Sequence, residues 1–311
     1  MARWCSNLKK RRFLPDPAYR GRFAPSPTGP LHFGSLVAAL GSYLDAKHHN
    51  GLWLVRMEDL DTPRCVPGAA DDILRTLDAF GLHSDEPLIY QSRRTSAYEE
   101  ALHTLQAQSA VYPCCCTRRE IADSALHGIE GPIYPGTCRN GIPAGRERRA
   151  WRIATNNPAI EFDDILQGRI SQRLESEIGD FVVKRADGLF AYQLAVVVDD
   201  AFQNITHIVR GADLLYSTPR QIHLQRSLGL TTPAYMHLPI AVNARGEKLS
   251  KQTLAPAITG DDALTTLIAA LTFLRQQPPG DLRGATVEHV LQWGAENWQP
   301  ERLKNFRQFP V

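Results

Sequence analysis

Residues 23–36 read FAPSPTGPLHFGSL, with Pro25, Pro27 and Pro30 ahead of His32, Gly34 and Ser35. Prolines fix the path of such a loop, so little entropy is lost when a ligand settles on it. Gly29 and Gly34 let the backbone come close to a phosphate. His32 can donate to an oxyanion, and a helix beginning beside it adds free N–H groups and the positive end of its dipole. These residues fit an anion or nucleotide loop and, equally, a rigid connector. More than two hundred residues later, Lys248 and Lys251 sit in EKLSKQ, after a turn rich in Asn, Gly and charge. Two lysines there can meet phosphate oxygens or simply be solvated.

A third group is sulfur. The chain has six cysteines, and Cys114, Cys115, Cys116 and Cys138 fall within residues 114–138. In a reducing compartment this crowding suits a metal better than a disulfide framework. Zinc takes four donors tetrahedrally. Cys114, Cys116 and Cys138 supply three, while Cys115, in an extended segment, is expected to turn its side chain elsewhere. The fourth donor is His127 or Tyr134; on physical chemistry alone His127 is favoured, because a phenol with pKa near 10 ligates reluctantly. Buried reduced thiols without metal are the alternative.

The elements that must hold these groups follow from periodicity. Residues 21–24 form a short strand ended by Pro25. From Gly34, Leu36, Leu40, Tyr43 and Lys47 share a helical face, and residues 51–57 return as an apolar strand. Strand, helix and strand within about 35 residues make a βαβ unit with a parallel sheet, whose ligands sit beyond the strands' carboxyl ends. Residues 69–82 predict an amphipathic helix with Ile73, Leu77 and Phe80 in the core. The near-continuous apolar run 190–198 predicts a strand buried on both faces, ended by Asp199 and Asp200. Residues 205–209 predict another strand, with Arg210 and Gly211 opening the next loop. A helix is expected from Thr218 as N-cap and Pro219 at its first position, and a strand over 238–242 precedes the lysines.

Three stretches in this order resemble the class I aminoacyl-tRNA synthetases, in their glutamyl and glutaminyl branch. PSPTGPLHFG resembles the nucleotide-binding signature, with Ser35 where the general pattern has a second histidine. Residues 209–221, VRGADLLYSTPRQ, resemble a glutamyl-tRNA synthetase segment, and KLSKQ resembles the Lys-Met-Ser-Lys-Ser loop, with Leu249 for Met and Gln252 for Ser. The likeness spans about residues 21–255. It implies an α/β, doubly wound parallel-sheet, Rossmann-like catalytic core with a cysteine-containing insert and a short helical C-terminal region. His32, Gly34, Ser35 and Lys251 would bind ATP; His32, Lys248 and Lys251 would act in catalysis. Arg22, Ala24, Ser26, Glu58, Tyr192 and Arg210 would hold L-glutamate, the arginines on carboxylates and Glu58 on the ammonium. Cys-x-Cys…Tyr-x-x-x-Cys also resembles the zinc site of a compact glutamyl-synthetase relative, which makes Tyr134 the fourth ligand beside Cys114, Cys116 and Cys138. The zinc would be structural, and Mg2+ would accompany ATP.

The expected organisation is a flexible basic leader over 1–20, core halves at 21–105 and 190–245, an inserted domain at 106–189, and the lysine loop with helices at 246–311. About sixty residues follow Lys251, too few for an anticodon-binding portion. The compact relative so implied activates glutamate with ATP without tRNA, then transfers it to the queuosine base in the anticodon loop of tRNA(Asp). A truncated enzyme charging the 3′ end of tRNA(Glu), a non-catalytic nucleotide- or RNA-binding paralogue and a small-molecule nucleotidylyltransferase are the rivals. A net charge of +2 does not mark a nucleic-acid binder. Local basic clusters at residues 9–12 and at Arg146, Arg148, Arg149 and Arg152, with Trp151 beside the latter, fit phosphate contact or a solvated face. The longest apolar runs are far below a membrane span, and the start lacks the features of a signal peptide. A cytoplasmic monomer without a membrane partner is expected.

Overall fold

The expected βαβ unit forms at the head of the chain. In this computed structural model, which describes residues 19–124, 127–128, 131–156, 158–249 and 256–311, β1 (Arg20–Phe23) runs into the proline loop. Then come α1 (Phe33–His48) and β2 (Leu52–Met57), parallel to β1. Leu36, Leu40 and Leu44 of α1 are fully buried, as a four-residue spacing on one helical face requires. After α2 (Ala69–Ala79), whose Ile73 and Leu77 are buried as read together with Phe80, β3 (Ile89–Tyr90) extends the parallel sheet. Next, α3 (Thr95–Ala107) leads into the inserted segment.

There β4 (Val111–Cys114) precedes α4 (Arg118–Ser124) and a small hairpin of β5 (His127–Gly128) and β6 (Gly131–Pro132). β7 (Ala150–Ile153) is the centre of an antiparallel sheet ordered β10-β7-β4, with β10 at Phe181–Lys184. Between β7 and β10 lie β8 (Ile160–Asp164), β9 (Gly168–Gln172) and α5 (Leu174–Glu177). The β8–β9 hairpin belongs to another sheet, ordered β11-β12-β8-β9, with β11 (His207–Gly211) and β12 (Ala234–Leu238) parallel. Thr206 joins β11 to β1: its N–H donates to Arg20 O at 3.0 Å. The two core halves thus meet edge to edge.

The run 190–198 is a helix, not a strand. Here α6 (Tyr192–Phe202) buries every residue from Leu194 to Asp200, and an element covered on all sides is apolar at every position whether helical or extended. Asp199 and Asp200 accordingly lie inside the helix rather than at a strand's end. Arg210 and Gly211 finish β11 rather than open a loop. Helix α7 (Thr218–Leu228) is capped by position Ser217; Thr218 is its first helical residue, with φ −58° and ψ −45°. The strand expected over 238–242 is broken at Pro239, leaving β12 and β13 (Ile240–Val242), because proline has no N–H for a ladder.

Finally α8 (Ala263–Phe273) and α9 (Val287–Glu296) pack on α1 in one apolar core, and β14 (Gln308–Pro310) pairs with β13. Gly41 permits tight seating of α1: a Cβ there would lie 2.5 Å from Leu238 Cδ1. Among the described residues no helix is long and apolar enough to cross a membrane. Of the flexible leader expected over 1–20, residues 1–18 lie outside those described, whereas Tyr19 and Arg20 are buried and Arg20 opens β1.

Candidate active site

Where β1, β2 and β11 end, a cavity of about 650 Å³ opens. Its lining includes Arg22, Ala24, Ser26, His32, Gly34, Ser35, Glu58, Tyr192, Arg210 and Lys248, every expected ATP- or glutamate-site residue except Lys251. Lys251, like all of 250–255, lies outside the described residues.

His32 sits at the N-cap of α1, and its Nδ1 accepts the Ser35 N–H at 3.3 Å. A neutral ring accepting at Nδ1 carries its proton on Nε2, the donor form an oxyanion needs. The lysine-loop segment arrives at the same helix end. Leu249 N–H donates to Ala241 O at 2.8 Å, and a Cβ on Gly34 would stand 3.5 Å from Leu249 O. On the far side of that segment Ile258 N–H donates to Leu31 O at 3.0 Å. Two motifs more than two hundred residues apart in sequence therefore adjoin. Lys248 Nζ pairs with Asp213.

Deeper in, charge is arranged in a network. Arg22, 4% exposed, meets Asp200 through Nε and Nη2 at 3.1 and 3.2 Å. Asp200 also accepts from Arg56 Nη1 at 2.8 Å, and Arg56 Nη2 donates to Glu58 at 3.1 Å. Burial pushes the Glu58 carboxyl up, against the pull of Arg56 and Arg22; burial also opposes ionisation of Asp200, but the two guanidiniums hold its carboxyl below the usual range. Neighbouring Asp199 accepts from Arg94 Nε, Tyr98 and Gln91, which pins α6 against α3. On β11, Arg210 Nη2 donates to Thr218 Oγ1 at 2.8 Å. Arg56, in the family-like stretch RMED, and Asp200, His237 and Asp164 pack around these residues without having been among the expected site residues. Three had a signal in the sequence, as a charge inside the apolar strand LWLVRM, two acids closing an apolar run, and one histidine in YMHL; Asp164 had none.

The cysteines converge as read. The thiols of Cys114, Cys116 and Cys138 lie within 4.8 Å of one another, with Cys116 and Cys138 3.7 Å apart. The Tyr134 hydroxyl is 3.4 Å from Cys114 Sγ and 3.8 Å from Cys116 Sγ, and accepts the Cys138 N–H at 2.8 Å. A tetrahedral ion with metal–sulfur bonds near 2.3 Å sets its sulfurs about 3.8 Å apart, so this donor set fits zinc. The structure turns Cys115 inward, against the expectation: its Sγ is 3.6 Å from Cys138 Sγ, though it is not one of the mutually close three. Cys115 lies past the end of β4 at Cys114, so strand alternation does not fix the side to which it turns. The side chain of His127 is outside those described. Arg152 is buried, donating to Cys114 Sγ at 3.3 Å and lying 4.0 Å over the Tyr134 ring; it serves the sulfur cluster rather than an exposed basic face. Arg146 pairs with Glu120, and Trp151 is half-buried under Arg148.

Residues 18–275 match the family model described as tRNA synthetases class I (E and Q), catalytic domain. The chain is 62% identical over 282 residues to the glutamyl-Q tRNA(Asp) synthetase of Dechloromonas aromatica, covering 90% of this chain and 94% of that protein. This chain belongs to the glutamyl-Q tRNA(Asp) synthetase family. A second member, from Thiobacillus denitrificans, is 56% identical over 283 residues, covering 91% and 94%. The crystal structure of the glutamate-tRNA synthetase from Elizabethkingia anophelis superposes with TM-score 0.77 at 22% identity, over 94% of this chain and 68% of that one. At that identity the likeness speaks for the fold, a Rossmann-like class I core. In this glutamyl-Q tRNA(Asp) synthetase family member the segment between α3 and α6 carries the sulfur cluster.

Proposed function

We propose that the chain activates L-glutamate with ATP, without tRNA, and transfers it to the queuosine base in the anticodon loop of tRNA(Asp). The observation carrying this reading is the single cavity that gathers His32, Gly34 and Lys248 beside Arg22, Glu58 and Arg210, in a chain whose relatives over nine-tenths of its length are named for that activity. A carboxylate oxygen of glutamate attacks the α-phosphorus of ATP, the bond to the bridging oxygen breaks, and pyrophosphate leaves. The acceptor on tRNA then displaces AMP from the acyl carbon. Both first-step reactants are anionic, so the residues' work is positioning and charge stabilisation. His32 Nε2–H and the N–H group at Gly34 suit phosphate oxygens from one side, the lysine loop from the other. The arginines take the carboxylates and Glu58 the ammonium, with Ala24, Ser26 and Tyr192 shaping the pocket.

Mg2+ accompanying ATP would neutralise its phosphates. Zn2+ held by Cys114, Cys116, Cys138 and Tyr134 would brace the insert, and Arg152 would offset the thiolates' charge. One zinc per chain by elemental analysis, lost in Cys138→Ser, is expected. The proposed setting is the cytoplasm, as a monomer. Labelled glutamate and ATP incubated separately with tRNA(Asp) carrying queuosine, tRNA(Asp) lacking it, and tRNA(Glu) is the decisive assay. Label only on the modified tRNA is expected; label on tRNA(Glu), or none, overturns the reading. Lys251→Ala should slow pyrophosphate exchange by about 10²–10³, the usual loss for one preorganised donor.

A further inference from the structure

Beneath Arg210 lies a buried polar chain that reaches from the inserted segment to the pocket. His237, on β12, is fully buried and stacks on Tyr235. Its Nε2 lies 3.1 Å from Arg210 Nε and its Nδ1 2.6 Å from Asp164 Oδ2. A guanidinium nitrogen can only donate, so Nε2 is the acceptor and the ring's proton is on Nδ1, donating to Asp164. The carboxylate is fixed in turn. Asp164 Oδ1 accepts the N–H groups of Leu166, Gln167 and His237 at 3.1, 2.9 and 3.3 Å. Arg210 thus has Nε and Nη2 pinned, on His237 and Thr218, whereas its Nη1 is buried without a hydrogen-bond partner among the described residues.

We propose that His237, held by Asp164, is the positioning residue for the Arg210 guanidinium, aiming Nη1 at a carboxylate of the amino-acid substrate. This rests on the reading of Arg210 as a glutamate-holding group. An imidazole suits the task because it orients the guanidinium without cancelling its charge, as a carboxylate placed directly on it would. Burial and the nearby Arg210 charge keep the ring neutral, with its pKa lowered to about 4 despite Asp164, so the acceptor persists across physiological pH.

The test is glutamate-dependent ATP–pyrophosphate exchange with the full chain. His237→Phe keeps the ring's bulk and removes both nitrogens; it should raise the KM for glutamate by about 10–100-fold, the size of one lost hydrogen bond to a charged group. The KM for ATP should stay within about twofold. His237→Gln, whose amide can donate to Asp164 and accept from Arg210, should return the glutamate KM to within about threefold of wild type. Should His237→Phe fail to fold, Asp164→Asn carries the same test, with an expected rise of about 3–10-fold. An unchanged glutamate KM in the folded variant, or equal rises for ATP and glutamate that Gln does not rescue, overturns the assignment. A wild-type protein without glutamate-dependent exchange would instead overturn the functional reading on which it rests.

Discussion

Two arginines line the cavity from the neighbouring strands β1 and β11, and they are held in opposite ways. Arg22 is clamped by the Asp200 carboxylate, which it shares with Arg56. Arg210 rests on a neutral imidazole and a hydroxyl, and meets the charge of Asp164 only through the ring. The first is part of a neutralised buried network; the second presents its cation to whatever enters. A buried ion pair is costly to break because the surviving charge is stranded, whereas removing a cation held by neutral groups leaves only those neutral groups unsatisfied, which costs less. Stability should therefore depend on the Arg22 side and ligand attraction more on the Arg210 side.

The largest effect is expected from Arg22→Leu. It leaves Asp200 with Arg56 alone, a cation that Glu58 also uses, so chemical denaturation should show a loss of about 3 kcal/mol, and glutamate-dependent exchange should vanish; normal activity would break the contrast. Asp200→Asn keeps an acceptor of the same shape but removes the countercharge of two guanidiniums. A stability loss of about 2 kcal/mol is expected from the same measurement. Arg210→Met strands no acid. Its stability should fall by only about 1 kcal/mol, while kcat/KM for glutamate drops about 10²-fold, because a substrate carboxylate is left without its partner. The smallest effect is on pH dependence. The His237 pKa is lowered to about 4 from an ordinary 6.5, so between these values the unfolded chain binds a proton that the folded chain refuses. That contribution to stability is complete above pH 6.5 and is lost as pH falls toward 4. Thermal melts of His237→Gln should show a shallower decline over this window than wild type.

Much of this site was legible because its chemistry is carried by local motifs. The proline loop, the arginine near the end of β11 and the Cys-x-Cys spacing name their residues before any fold is known; the cavity gathers the first two, and the thiols cluster apart from it. What escaped was set by tertiary burial. Residues 190–198 satisfied strand and buried helix alike, since periodicity vanishes when every face is covered. Taking the run as a strand also hid Asp199 and Asp200, which as helical residues point at Arg94 and Arg22. Asp164 and His237 are 73 residues apart, and only the β8–β12 pairing brings them together. Thr218 looked like a cap because its type favours one, but the preceding turn already winds the chain into helix, and its hydroxyl is used by Arg210.

The placement of Asp164 on β8 changes what the insert is. Although residues 106–189 leave and re-enter the core between α3 and α6, their β8–β9 hairpin is woven into the sheet beneath Arg210. Excising that stretch as a cassette, or exchanging it with a homologue's, would remove the footing of Arg210 along with the sulfur cluster. A transplant that retains residues 160–172 would leave that footing in place, which sets the boundary for any chimera.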